Sequence, residues 1–100
     1  RSGVSKPQLL AFRALANPAR YEIVEALAQD GREHPCQEFI ARLGVTPPAV
    51  SNHLRMLEEA RLVSLHRRGT QLYVSLAPTD VAYQMAAVIR GNSRASIEPE

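Results

Sequence analysis

The chain has 100 residues, a single domain's worth, with 45% apolar residues and a net charge of +2. It has five aromatic residues and no Trp, so its core must be mostly aliphatic and modest in size. One cysteine, Cys36, excludes an internal disulfide and a four-cysteine zinc site and fits a reducing compartment. No run approaches the roughly 18 apolar residues of a membrane span, and no signal peptide is visible, so a cytoplasmic protein is expected. The chain starts Arg1-Ser2-Gly3 without Met, which fits a trimmed or replaced N-terminus.

Residues 1–6 are polar and expected to be loose. Ser5 can cap a first helix that has Pro7 in its first turn and runs to Ala16. Leu9, Leu10, Phe12, Leu15 and Ala16 cover more than half of that helix, apolar surface that either the domain itself buries or a partner covers. Asn17-Pro18 reads as a cap followed by a first-turn Pro. The second helix, Ala19 to Gln29, carries Ile23, Val24 and Leu27 inward and ends at Asp30-Gly31. Pro35 reads as the first turn of a short helix from Cys36 to Leu43, whose apolar side is Phe39, Ile40 and Leu43.

Gly44 stops that helix, and Thr46 is the expected N-cap of the next, with Pro47 and Pro48 in its first turn. At about 100° per residue, Val50, Leu54 and Leu57 share one face of it, while Pro48, Asn52, Arg55 and Glu59 share the opposite one. A short helix, a tight Gly-containing turn and a helix of about a dozen residues make a helix–turn–helix, which points to DNA. Beyond Ala60 the period changes to two. Leu62–Arg67 and Gln71–Leu76 are expected to pair as an antiparallel hairpin around Arg68-Gly69-Thr70. Thr79 or Asp80 then caps a last helix bearing Val81, Met85, Val88 and Ile89, expected to stop at Arg90-Gly91. Residues 92–100 are expected to be a disordered tail, leaving 7–91 as the folded domain.

The predicted class is therefore mainly α with a small β-hairpin, in the order ααααββα: a winged helix–turn–helix. In the hairpin, His66, Arg67, Arg68 and Gln71 form a basic cluster with no acid among them, as phosphate or minor-groove contact requires. The acids Glu22, Glu25, Asp30, Glu33 and Glu38 fall on the earlier helices. No paired-carboxylate, Ser–His–Asp or phosphate-loop pattern is present, so an enzyme is not expected.

Three stretches, LANPARYEIVEAL, TPPAVSNHLRMLEEARLV and RRGTQLYVSL, make the chain resemble the ArsR family of transcriptional repressors over Leu9 to Leu76. The middle stretch is the most specific, since family members typically read Ser-Gln-Pro-Ala-Val-Ser-His-His-Leu there. The resemblance implies a homodimer joined by the first and last helices, here 7–16 and 80–90. Such a dimer would place two recognition helices in successive major grooves of double-stranded DNA, about 34 Å apart on a two-fold symmetric operator. It also implies repression that an inducer relieves.

Carried over singly, Ser51 matches the family Ser, and Thr46 stands in place of a Ser and can still donate to a phosphate or base edge. Asn52 replaces a His or Gln and can pair bidentately with adenine. His53 matches a family His but turns about 60° from Val50, toward the core edge, so packing and backbone contact are both open to it. Pro47 replaces a Gln that commonly reads bases, which predicts a different operator. The candidate DNA-binding set is Thr46, Pro47, Pro48, Ser51, Asn52, His53, Arg55, His66, Arg67, Arg68 and Gln71.

The family's metal-sensing Cys-x-Cys pair would fall on Pro35 and Gln37, and its Asp-x-His motif on Asp80 and Ala82, so both are missing. His34 and Cys36 alone would make a poor site, and no metal or other cofactor is expected. Cys36 is expected to be a small buried residue; the alternative is a thiol activated by its place at a helix start.

Overall fold

A computed structural model describes residues 3–97, with side chains from 3 to 92. Five helices run in order: α1 (Lys6–Leu15), α2 (Pro18–Asp30), α3 (Gln37–Leu43), α4 (Pro47–Glu59) and α5 (Asp80–Ile97). Three short strands complete the fold: β1 (His34–Pro35), β2 (Val63–Arg68) and β3 (Gln71–Leu76).

The helix starts are fixed by local chemistry. Ser5 Oγ accepts the Gln8 N–H while Gln8 Oε1 accepts the Ser5 N–H, a reciprocal capping box that opens α1 with Pro7 in its first turn. Asn17 Oδ1 accepts from the N–H groups of Ala19 and Arg20 at 2.9 and 3.2 Å and opens α2. Gly31 and Gly44 end α2 and α3 in the left-handed conformation that a Cβ disfavours. The end of α4 departs from this rule, because Arg61 takes the left-handed turn at φ 64°. Its carbonyl is held by the Thr79 hydroxyl at 2.8 Å, and Thr79 Oγ1 in turn accepts the Ala82 N–H at the start of α5. Of the two cap candidates for α5, Thr79 is the one used.

Ile23, Val24 and Leu27 of α2 occupy the centre with Phe39 of α3 and Val50, Leu54 and Leu57 of α4. The hairpin adds Val63 and Val74, and α5 adds Val81, Met85 and Ile89. No buried polar side chain is left without a hydrogen bond among the described residues.

Three expectations are corrected. Pro35 does not start a helix; with His34 it forms an edge strand on β3, in register His34↔Val74 and Pro35↔Tyr73, giving a sheet of order β1-β3-β2. Pro lacks the N–H that a central strand needs, and the next residue supplies the bond, Cys36 N–H to Leu72 O at 2.9 Å. The hairpin turn is also tighter than expected, since Arg68 pairs with Gln71 and only Gly69 and Thr70 form the loop. Lastly, α5 continues past Gly91 to Ile97, so residues 92–97 of the expected tail are helical, and 98–100 lie outside the described residues. One helical Gly costs only about 1 kcal/mol relative to Ala, and Asn92 is anchored by its amide donating to the Tyr21 hydroxyl at 3.3 Å.

His34 ties α2, β1 and α3 together. Its Nδ1 lies 2.9 Å from Glu38 Oε1 and its Nε2 3.1 Å from Asp30 Oδ2. Burial alone would lower the imidazole pKa, but hydrogen bonds to the Glu38 and Asp30 carboxylates, with their charges, leave it raised. A raised His contributes stability that is complete below its unfolded value of about 6.5 and lost as pH rises through the folded value. Urea unfolding is therefore expected to show stability falling as pH rises above about 6.5, and His34→Gln is expected to flatten that slope. An unchanged slope in the variant would assign it elsewhere.

Candidate nucleic-acid interface

The recognition element is α4. Val50, Leu54 and Leu57 are at most 3% exposed, so one face of the helix is locked in the core. The other face carries Thr46, Pro47, Pro48, Ser51, Asn52 and Arg55, all exposed as the sequence periodicity required. Thr46 Oγ1 accepts the Ala49 N–H at 3.3 Å and so caps the helix. Its hydroxyl hydrogen remains available to a phosphate or base edge. Because Pro47 and Pro48 have no N–H, they present only apolar rings beside it.

Asn52 and Arg55 act as a unit. Arg55 Nη2 donates to Asn52 Oδ1 at 2.8 Å, and Asn52 Nδ2 lies 3.9 Å from Met56 Sδ. The Asn oxygen has a second lone pair, so Arg55 can hold the amide in one orientation while it pairs with a base. Sequence spacing placed both residues on this face without showing the bond between them.

His53 sits half-buried at the boundary between core and surface. Arg20 of α2 reaches over it, with Nη1 3.4 Å from His53 Nδ1 and 3.4 Å from Met56 Sδ. The same guanidinium donates through Nε to Ala14 O at the end of α1, at 2.7 Å. Burial first and the Arg20 charge second lower the His53 pKa, so the ring is neutral at neutral pH. An arginine can only donate, so Nδ1 is the acceptor and Nε2 carries the proton. Nothing in the sequence signalled that Arg20, 33 positions away, would choose this tautomer.

The wing is less uniform than the run His66-Arg67-Arg68 suggests. Strand alternation places Arg67 on the face of Val63 and Leu65, and His66 and Arg68 on the other. Arg67 is exposed and has no hydrogen-bond or ion-pair partner among the described residues. Arg68 is bound on two sides. Its guanidinium makes a bidentate ion pair with Glu33, with Nη1 3.3 Å from Oε2, and its Cζ lies 4.3 Å from the centroid of the Tyr73 ring. Glu33 therefore belongs to the wing, since β1 carries it there, and the expected acid-free cluster has an acid beside it. His66 Nε2 lies 3.1 Å from Ser75 Oγ. Gln71 lines a cleft of about 160 Å³ with Pro47 and Ser51, which joins wing and recognition helix into one surface.

Cys36 also lines this cleft and is 8% exposed. Burial pushes its thiol up to about 11, so at neutral pH it is protonated despite its place at a helix start. His34, its nearest candidate co-ligand, already has a carboxylate on each ring nitrogen.

A helix–turn–helix domain model matches residues 15–66, half of the chain, and spans both α4 and its supporting helices. The transcriptional repressor SdpR of Bacillus subtilis is 31% identical over 68 residues, covering 68% of this chain and 73% of that protein. The chain belongs to the ArsR family of winged helix–turn–helix regulators. Another family relative, the transcriptional repressor SmtB homolog of Synechocystis sp., is 41% identical over 71 residues, 70% of this chain and 52% of its own length. The chain spans 30% of a further relative, the regulator YdfF of Bacillus subtilis, so relatives differ widely in what surrounds this domain. Among solved structures, the homodimeric winged helix–turn–helix DNA-binding domain of Mb0332 from Mycobacterium bovis superposes with a TM-score of 0.73 at 27% identity, over 98% of this chain and 94% of that one. The family is one of regulators rather than enzymes, and no described helix is long and apolar enough to cross a membrane.

The Thr46 cap sets where the recognition helix begins. Thr46→Ala is expected to cost about 1 kcal/mol in urea unfolding, and Thr46→Ser to restore most of it. Equal losses in both variants would show that the hydroxyl does not matter.

Proposed function

We propose that this ArsR-family domain is the DNA-binding unit of a homodimeric transcriptional repressor acting in the cytoplasm on a two-fold symmetric operator. The observation that carries the reading is α4 itself: one face fixed in the core, the other offering the Arg55-oriented Asn52 amide beside Thr46, Ser51 and the prolines. Asn52 is the adenine reader in this scheme. Thr46, Ser51 and the unpartnered Arg67 take phosphates, while His53 presents its Nε2 hydrogen to the backbone. His66 and Gln71 approach from the wing. Arg68 is the weakest candidate of the set, since Glu33 and Tyr73 already occupy it.

Dimerisation is supported by the apolar residues that α1 and α5 leave in solvent. Leu9 and Phe12 are 52% and 47% exposed, and Tyr83 and Val88 are 59% and 52% exposed. A groove of about 270 Å³ runs between the two helices, lined by Phe12, Leu15, Tyr21, Met85 and Val88. The homodimeric relative Mb0332 gives the assembly a precedent. The metal chemistry of some family members does not fit this chain. Pro35, Gln37 and the fully buried Ala82 stand at the ligand positions, His34 already holds a carboxylate on each ring nitrogen, and Cys36 is buried.

Selection from a random DNA pool followed by fluorescence anisotropy tests the DNA reading. Asn52→Ala is expected to cost about 1–3 kcal/mol on the selected duplex and to relax preference at one base pair per half-site. Arg67→Ala is expected to weaken all sequences alike and to reduce the salt slope by about 0.9 for each phosphate no longer neutralised. No sequence preference at moderate salt would sink the proposal. Phe12→Glu is expected to shift sedimentation from dimer to monomer and to lower operator affinity with it; a dimer that persists would place the interface elsewhere.

A further inference from the structure

A second groove lies between α1 and the end of α4. Its apolar walls are Leu10 and Ala14 of α1 with Met56 and Ala60 at the end of α4, enclosing about 380 Å³, within the range of small-molecule sites. Leu10 and Ala14 are each turned about 160° from Phe12 around the helix, while Arg13 lies one turn on from Leu9, so the groove borders the proposed dimer surface at Arg13. Its charged lining is Arg13, Arg20 and Glu59, two guanidiniums against one carboxylate. Arg13 is exposed and makes no side-chain hydrogen bond or ion pair among the described residues, and Glu59 is paired with neither arginine.

From this charge balance over apolar walls we infer that the groove is an effector site for a small apolar monoanion, a medium-chain or single-ring carboxylic acid. The acid's hydrocarbon body lies on Leu10, Ala14 and Met56, and its carboxylate takes Arg13 and a free edge of Arg20. The regulatory consequence rests on the proposed DNA reading. Arg20 bonds Ala14 O, and its Nη1 touches both His53 and Met56; Met56 in turn touches Asn52. An anion that draws Arg20 toward the groove therefore acts, within two side-chain contacts, on the amide assigned to base reading. That is a coupling between two sites carried by identified groups.

Titrating the full chain with sodium octanoate and sodium benzoate, followed by amide NMR shifts, tests the site without DNA. Saturable shifts at Leu10, Ala14 and Ala60 are expected with the acids and absent with octanol and benzamide. Arg13→Gln, at an exposed position, is expected to weaken binding about tenfold, in line with loss of a charge-assisted bond. No saturable shifts, equal binding of the neutral analogues, or amides already shielded by a second copy of the chain would overturn the site. Octanoate is also expected to change operator affinity in the wild type and far less in Arg13→Gln. If the acid binds but the protein selects no DNA sequence, the proposed function fails and the site stands. If DNA affinity ignores a bound acid, the effector role is overturned.

Discussion

The burial of Val50, Leu54 and Leu57 is the constraint on which the rest depends. Each such side chain contributes on the order of 1.5–3 kcal/mol when removed from water, whereas an exposed ion pair contributes about 0.2–1 kcal/mol. The recognition helix is therefore held by its inner face, and its outer face carries little responsibility for folding. That division leaves Pro47, Ser51, Asn52 and Arg55 free to be chosen for what they touch outside the molecule. It also explains how residues on the outer face can vary without disturbing the fold.

Around that anchor, the remaining elements act as positioners. The α2–α3 connection carries β1 into the sheet, so the wing is clamped at its base to the helices that support α4. His34 strengthens the clamp by joining Asp30 at the end of α2 to Glu38 in α3. On the other side, Arg20 bridges the end of α1 to the exposed flank of α4. The helix proposed to face a partner copy and the helix proposed to face DNA are thus connected by one guanidinium, which makes their relative placement depend on a few hydrogen bonds.

Much of this was legible in the sequence, and the limits follow a physical pattern. Features set by neighbours within four residues could be read directly: the Ser5, Asn17 and Thr46 caps, the left-handed Gly31 and Gly44, and the two faces of α4. The hairpin followed from alternation and a Gly-containing turn. Contacts spanning thirty or more positions left no local trace. Glu33 meets Arg68 only because β1 pairs with β3, and Arg20 meets His53 only because α2 packs on α4. Pro35 misled because a helix start and an edge strand both tolerate a missing N–H. Gly91 misled in the opposite sense: a helix that is long enough absorbs one glycine. Cys36 is buried, as its residue type suggested, and that burial outweighs the activation its place at a helix start would favour.

The outer edge of the sheet has a further consequence. β2 is an edge strand, and its unpaired backbone groups are the kind of surface onto which another chain can add a strand. Its distal half carries the unpartnered Arg67, so a second copy pairing edge to edge over that half would bring one guanidinium against another. The opposite edge is β1, two residues long and ending in a proline that has no hydrogen to offer. Both borders of this small sheet thus resist extension, one by electrostatic repulsion and one by a missing donor. The arginine proposed to meet phosphate would, in the absence of DNA, also keep the protein from polymerising through its wing.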